Sequence, residues 1–62
     1  MNTKAIEDQA RGMTTAQLRR AYSWEETLCD HYAETGHATG NSVAAQKKDI
    51  IEAEMRRRGE RL

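Results

Sequence analysis

Apolar residues return every three or four positions through most of the chain, the repeat of helices that each bury one face. Ile6, Ala10 and Met13 open this pattern and Gly12 is a natural terminator, which predicts a short helix over 3–11. A helix that short is unstable alone, so it has to dock on the rest of the molecule. The next start is marked twice. Thr14 and Gln17 have capping-box spacing, and Met13 and Leu18 fall where a hydrophobic staple fixes the entry of the chain. The pattern then runs over 15–35, with Gly36 supplying the left-handed residue that closes it. Two glycines, Gly36 and Gly40, with no apolar periodicity between them, read as a loop over 36–41. Thr39 or Asn41 would cap a second long helix over 42–58, stopped at Gly59.

Two long helices joined by a short loop make an antiparallel hairpin. The expected fold class is therefore all-α: one small helical domain over 1–62, a short N-terminal helix followed by an antiparallel helical hairpin. On the first long helix, Trp24, Leu28, Ala21, Tyr32, Leu18, Cys29, Tyr22 and Ala33 share an arc of roughly 180°. Glu25 lies inside that arc. A carboxylate there needs a partner, because burying it unpaired costs several kcal/mol. Lys47 and Arg58 of the second long helix are the candidates for a buried ion pair with Glu25.

That second helix carries more apolar surface than one neighbour can cover. Val43, Ala44, Ile50, Ile51, Ala53 and Met55 span about 200°, interrupted by Lys47, Glu54 and Arg58. The surface thus splits into one seam of Val43, Ile50 and Ala53 and another of Ala44, Ile51 and Met55. One seam meets the first long helix. The other awaits the N-terminal helix or a second subunit. The expectation is self-association through Val43, Ala44, Ile50, Ile51 and Met55 with Trp24, as a homodimer with a four-helix core.

Size agrees with that need. A 62-residue chain buries only roughly 60% of the surface its unfolded form exposes, and small scaffolds add disulfides, a metal or a subunit. One cysteine excludes an internal disulfide and fits a reducing compartment, so a cytoplasmic location is expected. The opening residues hold no apolar run, and neither a signal peptide nor a membrane contact is expected.

Ten basic and ten acidic residues cancel, which argues against a dedicated nucleic-acid binder. Their distribution is uneven, however. An antiparallel hairpin gathers Arg19, Arg20, Arg56, Arg57, Arg58 and Arg61 at its open end, where they could receive an anionic partner such as RNA or DNA. Glu7, Asp8, Glu54 and Glu60 are the acids able to neutralise them. Toward the loop, Glu25, Glu26, Asp30 and Glu34 are expected to answer to Lys47 and Lys48, since acids near a helix C-terminus oppose its dipole.

Candidate chemistry is confined to Cys29, His31 and His37. Residues two apart on a helix point in different directions, so Cys29 and His31 cannot share a metal or form a nucleophile–base pair. A zinc site wants four ligands, or three and water. No catalytic, cofactor-binding or metal site is therefore expected. Cys29 reads as a small core residue, and His31 and His37 as solvated. Too little chain remains to build a pocket for a small-molecule substrate. The sequence thus predicts a small non-enzymatic binding protein, an adaptor, regulator or inhibitor of another protein. Its rival is a nucleic-acid-binding regulator working through the arginine end. The hairpin plan is shared with several unrelated small helical proteins, including some from phages and plasmids, which is an analogy of architecture only.

Overall fold

The computed structural model describes residues 3–61 and is all-helical, with no strand among them. Helix α1 spans Thr3–Arg11, α2 spans Thr15–Thr35 and α3 spans Ala38–Arg57. The start of α2 is set by its own side chains. The Gln17 amide donates to Thr14 Oγ1 at 3.1 Å, and the Thr14 amide donates to Gln17 Oε1 at 2.9 Å. This reciprocal pair satisfies donors that a helix N-terminus leaves open. At the other end Gly36 adopts φ +73, and the amides of Gly36 and His37 both reach back to the Tyr32 carbonyl.

The connection to α3 is shorter than its two glycines suggest. Helix α3 begins at Ala38 rather than Ser42, because His37 caps it. His37 Nδ1 accepts from the Gly40 amide at 2.9 Å, doing the work expected of Thr39 or Asn41. The Tyr32 ring lies 5.1 Å from the His37 imidazole, centre to centre. Gly40 is inside the first turn of α3, and a Cβ there would stand 2.7 Å from His37 Nδ1 and 3.0 Å from Tyr32 ring carbons. It is therefore a glycine of close approach, not of a flexible loop.

Helices α2 and α3 pack along their lengths, and their contacts pair ascending with descending residue numbers. Arg19 meets Glu60, Glu25 meets Lys47, and Tyr32 borders Gly40. Leu18 and Met55 are completely buried, and with Ile51 and Ala10 they form the centre of the core. Ala10 belongs to α1, which packs chiefly on α3. Met13, Ala21, Tyr22 and Ile50 close the edges of this cluster. Helix α1 is thus the second neighbour that α3 requires, at the end of the molecule remote from the α2–α3 turn.

Candidate binding face

The two apolar seams of α3 have different fates. Ala44, Ile51 and Met55 are buried inside the chain, with Ile51 and Met55 against Leu18 and Ala10. They are closed to a second subunit, which removes three of the residues expected to mediate self-association. Ile50 is half-buried against the same core. Val43 is half-buried, and Ala53 is exposed beside a cleft of about 320 Å³ between α1 and α3. The physical reason is the placement of α1, whose short apolar face occupies part of what periodicity alone leaves open.

Trp24 is different. It is 62% exposed, the only large hydrophobic side chain so exposed among the described residues. On α2 it stands about 110° from the core direction marked by Leu18 and Glu25. Leu28 and Ala21, at i+4 and i−3 from it, are half-buried. These three make an apolar strip along the flank of α2. An exposed indole is unusual, because indoles normally bury their large apolar area at a core or an interface.

The charges nearby are distributed unequally. Glu25 is 9% exposed, and its Oε1 lies 3.9 Å from Lys47 Nζ. Together with Ile6 and Met13 they border a cleft of about 400 Å³ between α1 and the long helices. Arg58 does not join this pair. Its Nε donates to Glu54 Oε2 at 2.7 Å, and its Nη2 donates to the Ala10 and Arg11 carbonyls at 3.2 and 3.1 Å. It therefore closes the C-terminal end of α1, where open carbonyls and the helix dipole both favour a cation. Glu54, 7% exposed, also receives Arg57 at 2.5 and 3.1 Å. Hydrogen bonds from Arg57 and then Arg58 hold the Glu54 carboxyl down at about 2, and Glu54 in turn raises Arg57.

The open end does not present six bare cations. Arg19 pairs with Glu60 at 3.3 Å, Arg56 with Glu52, and Arg57 and Arg58 with Glu54. Arg20 and Arg61 make no ion pair with a described residue. Asp8 is held by Arg11 of its own helix at 3.0 Å, so it does not answer the arginine cluster. Lys48 lies 5.3 Å above the Tyr22 ring instead of facing the acids of α2. Glu26, Asp30 and Glu34 consequently have no ion-pair partner among the described residues.

Cys29 is half-buried, and His31 and His37 are both exposed, His37 lying between α2 and α3 and capping α3 as well. Among the described residues no three His, Cys, Asp or Glu side chains come together as a metal site. No helix among them is long and apolar enough to cross a membrane. Comparison with protein families, with curated proteins and with solved structures finds no match.

Proposed function

We propose that this chain is a small non-enzymatic binding protein: an antiparallel α2–α3 hairpin braced by α1, engaging another protein through the Trp24 flank of α2. The single observation that carries this reading is the exposure of Trp24 beside half-buried Leu28 and Ala21. Tryptophan is enriched among the few residues that carry most of the binding energy of protein interfaces. Docking of two further helices on this flank would complete the four-helix bundle expected from the sequence, with Trp24 and Leu28 replacing Ile51 and Met55 as its contact residues. The lone cysteine supports action in the cytoplasm. The nucleic-acid reading loses ground because, among the described residues, four of the six arginines are paired with carboxylates.

Site-specific photo-crosslinking tests the proposal. A benzophenone side chain at position 24 should give a discrete adduct in the producing cells. The same probe at position 26, exposed and about 160° from Trp24 around α2, should give none. Equal adducts from both positions, or none from either, would contradict a binding face at Trp24.

A further inference from the structure

The apolar strip has a charge pattern that selects an occupant. Arg20 and Glu34 lie on its solvent-side flank, about 40° apart around the α2 axis and about 21 Å apart along it. Both are exposed, and neither has an ion-pair partner among the described residues. They are separated by 14 positions, two heptads, with Thr27 at the midpoint. The strip follows the same repeat, since Ala21 and Leu28 are one heptad apart with Trp24 between them. A flank that is basic at one end and acidic at the other repels a parallel copy of itself. It matches an antiparallel copy.

We infer that the occupant of this face is a second copy of the chain, its α2 antiparallel to the first across a two-fold axis near Thr27. Such an axis brings the same flank of each helix together, because in an isologous contact each pairing occurs twice. Arg20 of one copy then meets Glu34 of the other, and the converse pair forms at the opposite end. Trp24 of each copy packs near Leu28 of the other, covering the strip. Glu34 thereby acquires the cation that its position near the C-terminal end of α2 otherwise denies it. The acids Glu26 and Asp30 stay on the far side of α2, about 120° or more from the strip, and face water. This inference rests on the binding-face proposal and supplies its partner.

Sedimentation equilibrium of the full chain and four variants tests it. The wild type should be a dimer. Trp24→Ala should weaken dimerisation at least about thirtyfold, as loss of a central aromatic residue does. Arg20→Glu and Glu34→Arg should each weaken it about tenfold or more, by placing like charges together. The double variant R20E/E34R should restore affinity to within a few-fold of wild type. A dimer that Trp24 holds but the charge swap does not rescue would overturn the antiparallel register, and a monomer at all concentrations would overturn the second copy. Both of those results leave the binding face standing. A dimer that Trp24→Ala leaves unchanged would instead overturn the binding face. Circular dichroism of each variant guards against simple unfolding, since all three substituted positions are exposed and none supports the core.

Discussion

Leu18→Ala and Met55→Ala should each cost about 3 kcal/mol of stability, the usual loss when a large aliphatic side chain is cut back in a core that cannot collapse around the void. Both side chains are completely buried, and they meet where α1, α2 and α3 converge. A domain of this size has roughly 3–9 kcal/mol in total, so either change removes a third or more of what holds the chain folded. Urea denaturation followed by circular dichroism would show the midpoint falling sharply, with the slope little changed. Ile51→Asp should be more severe, because it places an unpaired charge in the same cluster. Its expected phenotype is an unfolded chain, not a folded monomer. A folded variant of wild-type helicity would show that this cluster is not the core.

Arg58→Ala should release α1. The Arg58 guanidinium ties Glu54 to the Ala10 and Arg11 carbonyls, spanning 47 and 48 positions of sequence. Hydrogen bonds to a charged group contribute about 1.5–3 kcal/mol each where they are sheltered, and a helix as short as α1 has little stability of its own. Amide exchange should therefore accelerate by about tenfold or more across Thr3–Arg11 while the middle of α2 keeps its protection. Uniform acceleration, or none, would contradict a clamp acting on α1. The same cluster predicts a pH dependence. The folded-state carboxyl of Glu54, at about 2, lies below its ordinary 4.5, so protons bind the unfolded chain more readily. Its stabilisation is complete above the ordinary value and is lost as pH falls from there toward 2. Glu54→Gln should lower the thermal midpoint at neutral pH, and the difference from wild type should shrink through that acidic window.

Which parts of this architecture are legible in the sequence follows from the range of the forces involved. The boundaries of α1 and α2 depend on contacts three or four residues apart, such as the Thr14–Gln17 box and Gly36, and those can be read directly. The start of α3 is hidden, although it too is local, because histidine is an uncommon cap and Gly40 resembles a loop residue until Tyr32 and His37 are seen against it. The Glu54–Arg57 and Glu54–Arg58 spacings are visible along one helix face. The reach of Arg58 to the end of α1 is not, since nothing near it in sequence encodes where α1 lies.

The binding face shows the same division. Periodicity reveals that α3 carries apolar surface for two neighbours, but it cannot decide whether α1 or another subunit takes the second place. Burial of Ile51 and Met55 with Leu18 and Ala10 answers that for one seam. On α2 the apolar arc includes Trp24, and only its exposure shows that no described element of the chain covers that side chain. The charges also needed the structure. Lys48 is drawn to the Tyr22 ring and four open-end arginines to acids, which leaves Arg20 and Glu34 without an ion pair among the described residues at the two ends of one flank.

Trp24 is the only tryptophan, so its fluorescence reports on the proposed face without a label. The most direct measurement is its emission maximum across a dilution series of the wild-type chain. The second-copy account predicts blue-shifted emission at high concentration, moving to that of a water-exposed indole in step with dissociation. Emission that stays water-exposed at every concentration, above all in samples whose mass is that of a dimer, would contradict it.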